Sequence, residues 1–178
     1  MREFLLQSYA VTGDFSLNDL PSAGRMDIVC RCVTASLWLS HQLRKDTLFH
    51  ALLLGKPSPP KLITFDPTKL KRVYPDERNV AAHIRLALLN KKLPGITVST
   101  VGLKEFLEKQ KSQIIVLDER GKDIREFEFE KRVLFVLGDH KGLYEELEAE
   151  KVSVGKKIYL ASQVISIVQN ELDRREEL

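Results

Sequence analysis

The sequence predicts an α/β fold, a mostly parallel sheet flanked by helices. Three observations carry that expectation. Strand-like and helix-like runs alternate along the chain, as they do when parallel strands are joined through crossover helices. The runs "IIVL" (114–117) and "VLFVL" (133–137) are apolar without alternation, which is the composition of strands covered on both faces. The last helical segment places Ala161, Val164, Ile165, Val168 and Leu172 at helical spacing, one apolar stripe that can dock on a sheet.

The elements follow in order. A first strand is expected over Glu3–Val11. A helix is expected over Met26–Arg44, with Val29, Cys32, Val33, Ser36, Leu37 and Ser40 on one side and Asp27, Arg31, Thr34 and Trp38 on another. Strands over Thr47–Leu54 and Leu62–Phe65 flank "GKPSPPK" (55–61), a stiff loop because proline fixes φ and has no N–H to donate. A helix over Asn79–Asn90, a strand over Ile96–Thr100, a helix over Leu103–Lys111 and a strand over Gln113–Leu117 come next. "DERGKD" (118–123) is expected as a tight turn, and "REFEFEK" (125–131) as an exposed, charged connection. Strands over Val133–Leu137 and Lys151–Val154 precede the final helix, Lys157–Arg175, whose tail "ELDRREEL" is polar.

With 178 residues, 43% of them apolar, the chain can bury one sizeable core, and a single domain over 1–178 is expected. Net charge is only +3, but it is unevenly spread. Between Lys56 and Lys92, nine Lys/Arg stand against three acids, a net +6. From Glu145 to the end, eight acids stand against five bases, a net −3. The basic flank suits a phosphate-rich partner or is a solvated face. No run approaches the roughly 20 apolar residues of a membrane span, and "MREFLLQSYAVTG" has too short an apolar stretch for a signal peptide. Cys30 and Cys32 form C-x-C, which by itself makes neither a zinc site nor a disulfide. Reduced thiols, a cytoplasmic location and no membrane contact are therefore expected.

"FVLGDHKGL" (135–143) places Asp139, His140 and Lys141 side by side. Neighbours on a turn point apart, so they make a poor Ser-His-Asp constellation, and the G-x-S-x-G elbow is absent. Four scattered histidines give no ligand set, so no metal is expected. Neither G-x-x-x-x-G-K-[ST] nor G-x-G-x-x-G occurs. What remains is Gly138 and Gly142 after an apolar strand, where ligands lie in open α/β sheets, although a tight turn with nothing bound fits the loop equally. "VSVGKKIYLAS" (152–162) repeats the theme, a short strand, Gly155 and a loop leading into the long helix.

Taken together, these two loops and the preceding "IIVLDERGKDI" (114–124), spanning about residues 112–175, resemble the SPOUT class of RNA methyltransferases. "SAGRMDIVCRCVTASLWLSHQLRKD" (22–46), "GKPSPPKLI" (55–63) and "YPDERNVAAHIRLAL" (74–88) resemble the archaeal TrmY family. Those enzymes methylate N1 of a pseudouridine at position 54 in the tRNA T loop. "GRMDIVCR" also resembles the helix start of the pseudouridine N1-methyltransferases of ribosome biogenesis, which makes an rRNA substrate the runner-up. A non-catalytic RNA-binding module on this fold and an unrelated small-ligand domain are further alternatives.

The resemblance implies a C-terminal deep trefoil knot, S-adenosyl-L-methionine as cofactor, and a homodimer built through the knotted region. In that dimer, Arg25 and Asp27 of one subunit are placed to serve the cofactor of the other. The cofactor is expected on the backbone at Leu137, Gly138, Val154, Gly155, Leu160 and Ala161, with Val164 as an apolar wall and Asp139 facing its positive charge. Val164 stands where the family's last helix often carries Cys. Asp27 is the candidate base, because N1 of pseudouridine carries an imide-like proton that must leave. Arg25 and Arg31 are candidates to hold base carbonyls or phosphates; Trp38 could stack on a base, but a half-buried packing role is the favoured expectation for it. Lys69, Lys71, Arg72 and Arg78 in the basic flank (56–92) are the expected tRNA track.

Overall fold

The computed structural model describes residues 1–175; residues 176–178, the end of the polar tail, lie outside them. The apolar runs become a seven-stranded sheet in the order β4-β3-β2-β1-β6-β5-β7. Its strands are β1 (Arg2–Ser8), β2 (Thr47–Leu53), β3 (Lys61–Phe65), β4 (Ile96–Ser99), β5 (Gln113–Asp123), β6 (Val133–Gly138) and β7 (Glu150–Ser153). β1 pairs in parallel with β2 and β6, and β5 with β6 and β7. Among these strands only β3 runs the other way, so its pairings with β2 and β4 are antiparallel. The mostly parallel sheet expected from the sequence is the one observed.

Residue alternation along the central strands builds two cores. Phe4 and Leu6 of β1 and Phe135 and Leu137 of β6 enter the larger one, beneath α1 (Met26–Leu37), α2 (Glu77–Leu88) and α4 (Ala161–Arg175). Leu5, Leu134 and Val136 face the other way, against Leu103 and Phe106 of α3 (Leu103–Glu108). Burial on both faces is why β6 is apolar without interruption and β1 carries Phe4-Leu5-Leu6 at its centre.

Several boundaries differ from the sequence-based expectation. The first helix stops at Leu37, because Trp38 turns extended (φ −106°, ψ 137°) and bridges to Leu43. Trp38 packs half-buried against the larger core at the helix end, the packing role favoured for it from the sequence. "DERGKD" is no separating turn. β5 continues through it and pairs with β7 on both sides of an irregularity between Leu117 and Lys122. In "REFEFEK" the charged residues are exposed as expected, but Phe127 is buried and Phe129 partly so, and Phe127, Phe129 and Phe135 form a chain of ring contacts at 5.1 and 5.6 Å. Arg175 lies over the Phe129 ring and donates to the Ile124 and Phe127 carbonyls. The last helix starts at Ala161, leaving 156–160 as an exposed connection.

The parallel register brings the carboxyl ends of β1, β6 and β5 to one edge of the sheet. The loops that leave those ends build the site.

Candidate active site

The loop after β6 is fixed from within the sheet. Gln7 is fully buried near the end of β1. Its side-chain oxygen accepts from the N–H groups of Tyr144 (3.0 Å) and Glu145 (2.8 Å), and its nitrogen donates to the Glu145 carbonyl (3.0 Å). Sequence reasoning missed Gln7; the signal was one amide inside an otherwise apolar strand end, "FLLQS". Gly142 donates its N–H to the Asp139 carbonyl (3.0 Å), closing a tight turn. A Cβ on Gly138 would lie 2.0 Å from the Gly142 backbone. Gly138 is thus required by the turn's own closure. Gly142 has φ +85° with nothing near its Cβ position, so it is the conformation that selects glycine there.

Asp139 is buried, and its carboxylate is satisfied inside the protein. It accepts from the Tyr144 hydroxyl (2.9 and 3.0 Å) and from the backbone N–H of Lys141 (2.9 Å) and Tyr9 (3.3 Å). Burial, then the hydrogen bond to Asp139, pushes the Tyr144 hydroxyl pKa up. Asp139 therefore ties the turn to β1 and reaches a bound ligand only through its field.

Around this turn lies a depression of about 610 Å³, within the roughly 300–1,000 Å³ of small-molecule sites. It gathers Leu137, Gly138, Asp139, Val154, Gly155, Leu160, Ala161 and Val164, every residue expected to hold the cofactor. Ile158, Tyr159 and Lys157 also line it. Ile158 is 85% and Leu160 59% exposed, apolar surface that a ligand or partner would shield.

Arg25 and Arg31 line the same depression, in the same chain as the glycine loops. Asp27 does not line it; it is buried just behind them. Arg25 has φ +65°, a left-handed conformation uncommon outside glycine, and directly precedes α1. Its guanidinium donates to both Asp27 oxygens (3.0 and 2.9 Å), and Arg31 donates to Oδ2 (2.7 Å) from one turn along the helix. The hydrogen bond from Arg25 does most to hold the Asp27 pKa below the usual carboxylate value, with Arg31 adding to it against the cost of burial. A carboxylate held this way is ionised at neutral pH and weakly basic.

The cysteines of α1 are both buried and free. Burial pushes the Cys30 thiol up to about 12 and raises Cys32 as well, so both are packing groups. Among the described residues no group of three or more His, Cys, Asp and Glu could hold a metal ion, and no helix is long and apolar enough to cross a membrane.

The four expected RNA-binding cations do not form one patch with the depression. β3 starts at Lys61 beside Leu53 and ends at Phe65 beside Phe49. The turn carrying Lys69 therefore leaves the sheet at the end opposite the site, where Lys69 pairs with Asp66 (3.1 Å). Lys71 and Arg72 are exposed in the connection to α2. Arg78, in the first turn of α2, donates to Asn18 (3.0 Å) on the loop between β1 and α1.

A family model described as "Putative SAM-dependent RNA methyltransferase" matches residues 1–177. The tRNA (pseudouridine(54)-N(1))-methyltransferase of Methanocella arvoryzae is 42% identical, over 98% of this chain and 100% of its own length. That of Methanococcoides burtonii is 40% identical, over 98% and 96%. Among solved structures, Archaeoglobus fulgidus Nep1 bound to S-adenosylhomocysteine superposes with a TM-score of 0.65 over 97% of each chain, at 18% identity, a likeness of fold alone.

Proposed function

This chain belongs to the SAM-dependent RNA methyltransferase family, and on that premise we propose that it methylates N1 of pseudouridine 54 in tRNA, the activity its relatives are named for. The observation that carries the reading is a single depression where the two glycine loops meet the Arg25/Arg31 pair. Its residues fit S-adenosylmethionine. Leu137, Val154, Leu160 and Val164 offer apolar walls for an adenine ring, and the turns at Gly138 and Gly155 bring backbone within reach of its polar edge.

When bound, the cofactor supplies an electrophilic methyl group on its sulfonium. The protein's task is to make N1 a better nucleophile and to hold it in line. Arg25 and Arg31 present fixed guanidinium donors to the pyrimidine carbonyls, where negative charge grows as the N1 proton leaves. Asp27 suits a positioning role better than the base role expected from the sequence. Its oxygens are engaged by both guanidiniums, its pKa is lowered, and it stands behind the wall.

A homodimer agrees with the exposed Ile158 and Leu160, and with an apolar groove of about 680 Å³ that includes Ala35 and Ile167 of α1 and α4. We assign the knot, the single domain and the cytoplasmic location on family membership. For the RNA path, Arg78 is the cation best placed, on the flank that meets the β1–α1 loop, with Lys69, Lys71 and Arg72 as outlying phosphate contacts.

Two measurements test this reading. Titration calorimetry with S-adenosylmethionine should give saturable one-site binding; no heat at millimolar cofactor would remove the methyltransferase reading. Offering tRNA and an rRNA hairpin, each containing pseudouridine, should give methylation of the tRNA. Preference for the hairpin would favour the rRNA alternative.

A further inference from the structure

Tyr9 follows the last residue of β1 and is 55% exposed, although its backbone is closely packed on two sides. A Cβ on Gly24 or on Gly55 would each lie 2.4 Å from the Tyr9 carbonyl oxygen. The chain at Tyr9 is thus gripped between the approach to α1 and the proline loop, and only glycine permits that approach. Its N–H donates to Asp139 (3.3 Å), and its ring lies 4.7 Å from that of Tyr144, tilted 48°. Tyr144 is in turn fixed through its hydroxyl to Asp139. Arg25, on the wall of the depression, directly follows Gly24.

An exposed aromatic ring on a rigid backbone, backed by a second ring and set near a cation, has the properties of a nucleobase platform. Little conformational freedom is lost on binding, and any base offers a π face. We propose that Tyr9, braced by Tyr144, stacks on a nucleobase of the substrate RNA. Tyr9 does not line the depression, so the base it takes is a neighbour of the methylated one, unstacked when the target is extruded. The inference rests on the proposed RNA methylation and adds to it a specific RNA-binding residue.

The test is steady-state methylation of a pseudouridine-containing tRNA transcript by wild type, Tyr9→Phe and Tyr9→Leu, with thermal midpoints and sedimentation alongside. Tyr9→Leu should raise the KM for tRNA about tenfold with kcat little changed, the pattern of lost uniform binding. Tyr9→Phe should stay within about twofold of wild type, because the ring does the work. The dependence of binding on salt should be the same in all three, since no charge is removed. If wild type methylates and Tyr9→Leu keeps its KM, or if Tyr9→Phe loses as much as Tyr9→Leu, the inference is wrong. A Tyr9→Leu loss explained by a changed oligomeric state or a fallen midpoint also overturns it. No methylation by wild type overturns the underlying reading, and this inference with it.

Discussion

Asp27 and Gly138 set the two sides of the site, and each gives a test at the scale of one residue. If Asp27 acts by orienting the arginines, Asp27→Asn should lower kcat/KM about ten- to a hundredfold, the worth of hydrogen bonds to charged groups. In an Arg25→Ala/Arg31→Ala background the same change should cost little more, because nothing is left to orient. A full further loss in that background would restore Asp27 as the base. Gly138→Ala should destabilise by about 1–3 kcal/mol and lose cofactor affinity in calorimetry, because the new Cβ displaces the Gly142 backbone. The lining residues were legible in the sequence because glycines and short apolar strands mark backbone-lined sites at any distance along the chain. The surroundings of Asp27 were not. Arg25 and Arg31 are near it in sequence, but that they fill both its oxygens and leave it behind the wall is a matter of rotamers and burial.

At the scale of elements, α4 is latched to the opposite end of the chain. Asp173 accepts from Arg2 (2.6 Å) and from Arg44 (2.8 and 2.6 Å), while the buried Gln169 accepts from Arg2 (2.7 Å) and donates to the Ser36 carbonyl (2.8 Å). Asp173 is partly solvated, which screens its share of the pairing, but beneath it Arg2 is buried and Arg44 largely so. Asp173→Asn should therefore cost about 1–3 kcal/mol in urea unfolding, through two guanidiniums left short of charge. The stripe that docks α4 was plain in its helical spacing. The ends of the elements were less so, since they depend on contacts between distant segments. Trp38 leaves the helix to pair with Leu43. Phe127 is buried and Phe129 partly buried because Phe135 and Arg175 come to meet them, and charged neighbours in the sequence hid that.

Across the whole molecule, several carboxylates are held below their ordinary pKa by hydrogen bonds from arginine, Asp27 and Asp173 among them, with Asp123 held at about 2 by Arg125. A lowered folded-state pKa contributes stability that is present above the unfolded value, about 3.9 for Asp, and lost as pH falls through the folded value. Thermal midpoints should thus vary little near neutrality on account of these groups and fall below about pH 4. The charge asymmetry predicts a second behaviour of the whole surface. Lys69/Lys71/Arg72→Ala should weaken tRNA binding and flatten its salt dependence, and by less than three contacts' worth, given that Lys69 stands at the far end of the sheet. A mostly parallel sheet was legible from element order; the separation of that basic turn from the site was not, because it follows from the reversed direction of β3. The most direct test of the central claim is mass-spectrometric nucleoside analysis of tRNA transcripts carrying pseudouridine or uridine at position 54, after incubation with the protein and methyl-labelled S-adenosylmethionine. Labelled N1-methylpseudouridine at position 54 of the first transcript is the expected product. Label on another nucleoside, or no label while wild-type cofactor binding is intact, would contradict that claim.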